Sequence, residues 1–439
     1  MPKPPPAPVP QSRLERLARI GLAAGELAVG AATEGIRRLA RGEAAELGTA
    51  LLSGANAKRL ATRLARLRGA AMKIGQLVSL QGEDVLPPEF AQALAMLRSQ
   101  AAPMPPEQVR RVLGREYGKG WEERFSRFDW EPIAAASIGQ VHRAVAANGR
   151  ALALKIQYPG VARSIASDVD NVAVLLRLFN LLPLGLDVGG MAAEAKRQLA
   201  QEADYEAEGR FLERYAKLVA GEPGLAVPRV HWDLTTQRIM AMDFMAGEPL
   251  EALASASQAR RDAVGALLER LLFRELFEFR VMQTDPNFAN YLWQPDTGRV
   301  VLLDFGATMR FPKEFVAKYA RITRAVIAGD RDAVAQGAID IGYAAAGDSP
   351  ERIDAVVDVV FLVCEPLRHR GRYDFPASDL PARVRDLGYD LAFRRGLVRA
   401  PPPETIFLHR KLVGAFLLLA RIRARVDARG LVTEVLAGQ

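Results

Sequence analysis

Asp285, Asn290 and Asp304 are the residues whose types and spacing most directly suggest chemistry in this sequence. Asp285 and Asn290 lie five positions apart in the polar stretch QTDPNFAN, residues 283–290, and Asp304 follows Asn290 by 14 positions, in VVLLDFG. Two carboxylates and an amide oxygen are hard donors, suited to a magnesium ion that itself bridges phosphates. An acid at the C-terminal end of a buried strand is held rigidly, and Gly306 lets the chain turn away behind it. Each segment also has a plainer explanation: QTDPNFAN as a loop stopped by Pro286, and Asp-Phe-Gly as a strand end followed by a turn.

A lysine able to meet phosphate would extend such a site. Lys155 ends the β-type segment ALALK, and EADYEAE at 202–208 offers Glu202, Asp204, Glu206 and Glu208 as partners. On a helix Glu202 and Glu206 share one face and Asp204 and Glu208 another. A lone strand lysine can equally be an edge charge, and an acidic helix face can simply be solvated. The strand turn AAASIGQ comprises Ala134, Ala135, Ala136, Ser137, Ile138, Gly139 and Gln140. Glycine permits the positive φ and close backbone approach that a phosphate loop uses, whereas alanine resists positive φ. The turn is therefore stiffer than a glycine-rich one, and close packing between strands would also use these residues.

The elements that must position these residues follow from patterning. The chain has 439 residues, 49% of them apolar, enough for a packed core in two or three domains or one large bilobal one. It opens with the Pro-rich arm MPKPPPAPVPQSR, which lacks the apolar core of a signal peptide. Ser12 and Glu15 form a capping box ahead of a helix to about Arg41. In a second helix Leu60, Leu64, Leu67, Ala71, Ile74 and Val78 line one stripe, with Lys73 and Gln76 on the opposite side. Strands are expected near 132–146 and 150–157 around the turn signal Asn148-Gly149. Residues 160–220 read as helices broken at LPLG, and AVPRVHWDLTTQRIMAMDFMAG as two more strands. From about Ser255 the pattern is mainly helical, with an apolar helix running to about Val281 and an interruption at 283–310. The division is a flexible arm at 1–12, a helical extension at 13–120, a β-rich lobe with a helical insertion at 121–247, and a helical lobe at 248–439.

The net charge of +8 would suit an acidic partner, whether nucleic acid, an anionic lipid surface or phosphate ligands, but its spread as single arginines over Ala-rich helices fits an ordinary solvated surface better. No nucleic-acid-binding motif is present. Cys364 is the only cysteine, excluding an internal disulfide framework, and the four histidines are far apart in sequence. No apolar run reaches the roughly 18 residues of a membrane span; VGAFLLLARIRARV at 413–426 comes nearest. The expected location is cytoplasmic, or peripheral at a membrane surface.

Asp-Phe-Gly behind D-x-x-x-x-N, and a V-A-I-K-like strand upstream, occur in the order protein kinases use. The His-Arg that precedes the kinase catalytic acid is absent; Gln283-Thr284 stand there. With AAASIGQVH, ALKIQYPGV, the K-x-G-Q segment MKIGQ at 72–76 and EADYEAE, the chain resembles the AarF/ADCK/UbiB family of atypical kinases, over roughly residues 50–425. The resemblance implies an α+β, bilobal protein kinase-like fold with an N-terminal helical extension. It implies that Lys73 and Gln76 enter the active site, that Glu202 and Asp204 meet the K-x-G-Q helix, and that Glu208 pairs with Lys155. Lys155 would contact ATP phosphates, main-chain groups of Asp243 and Met245 would bind adenine, Asn290 and Asp304 would hold Mg2+ (or Mn2+), and Asp285 would orient the acceptor. The family's implied activity is an ATPase or unorthodox kinase supporting ubiquinone or other isoprenoid-lipid metabolism, with a lipid precursor and lipid-biosynthetic proteins as partners. The alternatives are phosphoryl transfer to a protein or small-molecule hydroxyl, and a nucleotide-sensing scaffold of a lipid-biosynthetic complex.

Overall fold

The computed structural model describes residues 103–136, 138–178, 188–391, 395, 397 and 401–438. The expected helices at 13–41 and 60–78, with Lys73 and Gln76, lie outside the described residues, as does Ser137. The chain divides into two compact units: one runs to Arg210 and includes Arg229–Phe244, the other holds Phe211–Pro228 and Met245–Gln439.

In the first unit an antiparallel sheet carries strands Phe125–Phe128, Gly139–Ala146, Ala151–Gln157 and Ile239–Asp243 side by side in that order, with Ala134–Ala135 folded back on Gly139–Ala146. Gly149 takes φ 85° in the Asn148-Gly149 turn, a conformation glycine reaches without strain. Leu152, Leu154, Ile156 and Ile239 are fully buried with Val109 and Leu113 of the helix Pro106–Tyr117. Each such side chain contributes roughly 1.5–3 kcal/mol of transfer free energy, which fixes the register of the strand that carries Lys155. Helices Val161–Leu178, Val188–Glu202 and Tyr205–Leu218 follow in sequence, the last of these passing from the first unit into the second at 210/211.

Two expectations change here. The strand expected over 132–146 is two pieces, because Ala136 N–H bonds the Gly139 carbonyl at 2.9 Å and closes a turn between them. Of the two strands expected over 226–247, only Ile239–Asp243 is continuous. The other reduces to Leu225–Ala226 and a lone bridge from Val230 to Met242. Pro228 has no N–H to give a ladder, and Leu234 N–H turns back to the His231 carbonyl at 3.0 Å.

In the second unit the helix Gln258–Arg274 leads into a wider turn, Glu275–Phe279, and Arg280 takes φ 52°. The helical stretch expected to end near Val281 runs to Phe279, and Val281 opens a strand. The cause is pairing: Val281–Gln283 lies antiparallel to Thr308–Arg310, and Phe311 N–H bonds the Arg280 carbonyl at 2.9 Å. A second ladder joins Tyr291–Gln294 to Arg299–Leu302, flanked by Glu248–Pro249 and, in parallel, by Leu225–Ala226. Helices Lys313–Ala328, Pro403–Arg421 and Ala428–Ala437 pack around Leu272, Phe273, Phe277, Leu408 and Val432. The short pair Tyr373–Asp374 and Arg425–Val426 interrupts the region read as helical. No helix among the described residues is long and apolar enough to cross a membrane.

Candidate active site

In the first unit Lys155 sits on a strand buried along both faces, so its ammonium must be paired. It meets both oxygens of Glu208, at 2.7 and 2.9 Å, and lies over the Tyr205 ring at 5.2 Å. Glu208 is buried in the helix whose start Asp204 caps, its Oδ1 accepting the Ala207 N–H at 2.9 Å. Glu202 ends the preceding helix. Acids at 202, 204 and 208 thus have distinct positions, and Glu208 is paired with Lys155. Ala134 and Ala135 are exposed, whereas Ile138 and Gln140 are each 1% exposed. The Gln140 side chain serves the core: it accepts from Met104 N–H at 2.7 Å and reaches His142 Nε2, also at 2.7 Å. Ile138 and Gln140 can therefore offer a phosphate only their main chain. Gly139 is required by packing, since a Cβ there would stand 2.5 Å from the Ile156 carbonyl and 2.7 Å from the Tyr205 hydroxyl. Asp243 closes its strand, and Met245 opens the longer segment of the second unit, Met245–Gln439.

In the second unit the two ladders hold both ends of two loops, 284–290 and 303–307, and the loops are joined to each other. Thr284 N–H and Oγ1 both bond the Ala307 carbonyl, at 3.0 and 2.7 Å, and Leu303 N–H bonds the Asn290 carbonyl at 3.0 Å. Asp285, Asn290 and Asp304 are thereby carried on one framework. The Asn290 amide turns its Nδ2 toward the Asp285 carbonyl and carboxylate, at 3.3 and 3.4 Å, leaving its oxygen as the metal-type donor. Asp304 Oδ1 accepts the Gly306 N–H at 3.0 Å, and Phe305 is buried against the Tyr215 ring, centroids 4.5 Å apart. Among the described residues no group of three His, Cys, Asp or Glu could form a metal cage. Magnesium held mostly by substrate phosphates needs only one or two carboxylates, so this donor set fits it.

Arg410, Lys411 and Gly414, on the helix Pro403–Arg421, support the loop and were not among the residues singled out from sequence. Arg410 Nη2 forms a short ion pair with Asp285 Oδ1. Lys411 reaches Tyr291 OH at 3.2 Å and Glu275 Oε2 and Gln283 Oε1 at 3.4 Å each. Burial is the largest single influence on Lys411 and works against its charge, but Glu275 and Tyr291 together outweigh it and raise the pKa. Tyr215 OH accepts the Gln283 N–H at 3.0 Å and donates to Glu275 in a short hydrogen bond. The available signal was a pair of adjacent cations inside an otherwise apolar helix, FLHRKLVGAFLLL. Gly414 faces Pro286: a Cβ would stand 1.9 Å from Pro286 Cβ. Gly414→Ala is expected to displace the loop beside Asp285, lowering turnover at least about tenfold at a stability cost of about 1–3 kcal/mol. Turnover assays and thermal melts of the purified variant check this; full activity would show that the loop yields without consequence.

The ABC1 atypical kinase-like domain matches residues 96–338, more than half of the chain. The chain belongs to the ABC1 atypical kinase-like family. This is the AarF/ADCK/UbiB group its motifs resemble. It is 40% identical to the rat (Rattus norvegicus) mitochondrial atypical kinase COQ8B, over 97% of this chain and 81% of that protein. It is 38% identical to the mitochondrial atypical kinase COQ8 of Saccharomyces cerevisiae, over 98% and 86%. The solved Rv3197–erythromycin complex from Mycobacterium tuberculosis is 28% identical with a TM-score of 0.62, covering 88% of this chain and 97% of that one. The family assigns the kinase-like α+β fold and makes the chain an enzyme of the atypical kinase class. Both COQ8-type relatives are named mitochondrial, a compartment absent from the sequence-based expectation.

Proposed function

We propose that this ABC1-family enzyme is a magnesium-dependent ATPase whose turnover supports ubiquinone or another isoprenoid-lipid metabolism. The observation that carries the proposal is the joined pair of loops bearing Asp285, Asn290 and Asp304, an acid–amide–acid set in the order that phosphoryl transfer uses. Lys155, fixed by Glu208, contacts the α- and β-phosphates. Asn290 and Asp304 hold the magnesium ion, which supplies positive charge to the phosphate oxygens. Asp285 orients the attacking water. Its pairing with Arg410 favours orientation over proton abstraction, because the guanidinium occupies Oδ1, one of the two carboxylate oxygens. By the resemblance, Glu202 and Asp204 would meet the segment that carries Lys73 and Gln76. The COQ8 names of the relatives support the quinone pathway; a lipid precursor or lipid-biosynthetic proteins as partners, and contact at a membrane surface, follow from the family resemblance.

The test is genetic. A strain lacking this gene is complemented with wild type or Asp304→Asn, and quinone and its prenylated precursors are measured by mass spectrometry. Wild type should restore quinone, and Asp304→Asn should leave it depleted. Full rescue by Asp304→Asn at equal protein level would mean that turnover is dispensable and that the chain serves the pathway as a scaffold.

A further inference from the structure

The strand Ile239–Asp243 ends in an unusual exchange of hydrogen bonds. Phe244 N–H bonds the Ala151 carbonyl at 3.0 Å. By antiparallel alternation the main-chain groups of Asp243 then point the other way, toward residues 229–231. There His231 N–H reaches the Ala241 carbonyl at 2.8 Å, and Asp243 N–H the Arg229 carbonyl at 3.0 Å. A regular ladder would return the Arg229 N–H to the Asp243 carbonyl. Instead that N–H goes to the Asp243 carboxylate, Oδ2, at 3.1 Å. No donor among the described residues reaches the Asp243 carbonyl.

The carboxylate is held in this position. His231, 6% exposed, brings Nε2 to within 2.8 Å of Asp243 Oδ1. Its Nδ1 lies 3.0 Å from Arg150 Nη1, and Arg150 also grips Asp233 at 2.5 and 3.3 Å. A guanidinium only donates, so Nδ1 must accept and Nε2 must carry the proton given to Asp243. Capping of a strand end needs one acceptor; here an Arg–His relay aims the carboxylate at the single N–H that would otherwise occupy the carbonyl.

We propose that the His231–Asp243 pair selects the nucleobase. By diverting the Arg229 N–H to the Asp243 side chain, it leaves the Asp243 main-chain carbonyl as the acceptor for the 6-amino group of adenine. Guanine presents a carbonyl oxygen at that place, and two acceptors repel. Asp243 and His231 are positioning residues in this scheme, which rests on the ATP-binding reading above.

The experiment is competition of ATP and GTP against a fluorescent ATP analogue, with magnesium, on the purified full chain. Wild type should prefer ATP. In Asp243→Ala the Arg229 N–H returns to the carbonyl, and the ATP-over-GTP ratio should fall by about tenfold, the worth of one good hydrogen bond. Asp243→Asn keeps a side-chain acceptor and should retain much of the preference. His231→Ala, which leaves the carboxylate in place but unanchored, should give an intermediate ratio and provides the measurement if Asp243→Ala does not fold. A purely structural role would lower ATP and GTP affinity together, with the ratio unchanged, and would overturn the inference. Wild type that binds ATP and GTP equally would overturn it too. Wild type that binds neither would remove the nucleotide reading itself, and this inference with it.

Discussion

Asp304→Asn should lower ATP turnover by about 10²–10³-fold while leaving the fold intact. The substitution keeps an oxygen at Oδ1 to accept the Gly306 N–H, the 3.0 Å bond that shapes the turn. Phe305, 1% exposed against Tyr215, is untouched, and so are the ladders Val281–Gln283/Thr308–Arg310 and Tyr291–Gln294/Arg299–Leu302 on either side. What changes is one negative charge, at the atom pair proposed to face the cation. Binding of ATP should therefore weaken in the presence of magnesium and stay unaltered in its absence. Thermal midpoint, ATP affinity with and without magnesium, and phosphate release measured on one preparation separate the charge from the fold. Wild-type turnover in this variant would end the proposed role of Asp304. Loss of turnover with unchanged magnesium-dependent binding would move that role from holding the metal to the chemical step.

Much of this site was legible because its motifs are local. D-x-x-x-x-N and Asp-Phe-Gly each fit in one loop, and spacing alone put their three polar residues in order. The Asn148-Gly149 turn was legible for the same reason: one positive-φ position has a strong residue preference. Glu208 became Lys155's expected partner through family resemblance, since local rules left four acids on two helix faces; the structure pairs these residues across 53 positions. Long-range pairing was not legible. The helix ends near Val281 as expected, but the strand Val281–Gln283 that follows it pairs with Thr308–Arg310, a partnership that no window around residue 281 contains. Arg410 was missed because its partner lies 125 positions away. A buried charge inside an apolar helix signals that some partner exists, but not which one. The exchange at Asp243 was hidden in the same way, because Asp in a strand gives no indication that its own carboxylate will take the place of its carbonyl. Lys73 and Gln76 lie outside the described residues, so their implied roles stand on resemblance alone.

Arg410→Met should lower kcat by on the order of 10- to 100-fold and leave the KM for ATP near wild type. Asp285 is held from two sides, by the long Asn290 contacts at 3.3 and 3.4 Å and by the guanidinium of Arg410. The Asn290 contacts are weak at those distances, so the ion pair dominates the position of the carboxylate. The Arg410 side chain is 5% exposed and the Asp285 side chain 19%, so loss of the arginine leaves a largely desolvated acid without its strongest partner. Because Asp285 retains some solvent, the stability cost should fall below the about 3–5 kcal/mol of breaking a fully buried pair. Arg410→Lys keeps the charge but not the planar fork, and should recover part of kcat. A double-mutant cycle with Asp285→Asn distinguishes positioning from general support of the fold. If Arg410 acts through Asp285, removing it from the Asp285→Asn enzyme should slow turnover little further. Equal slowing in both backgrounds would make Arg410 a packing residue of the helix Pro403–Arg421. In that case the orientation of Asp285 would rest on the loop framework of Thr284, Asn290 and Ala307.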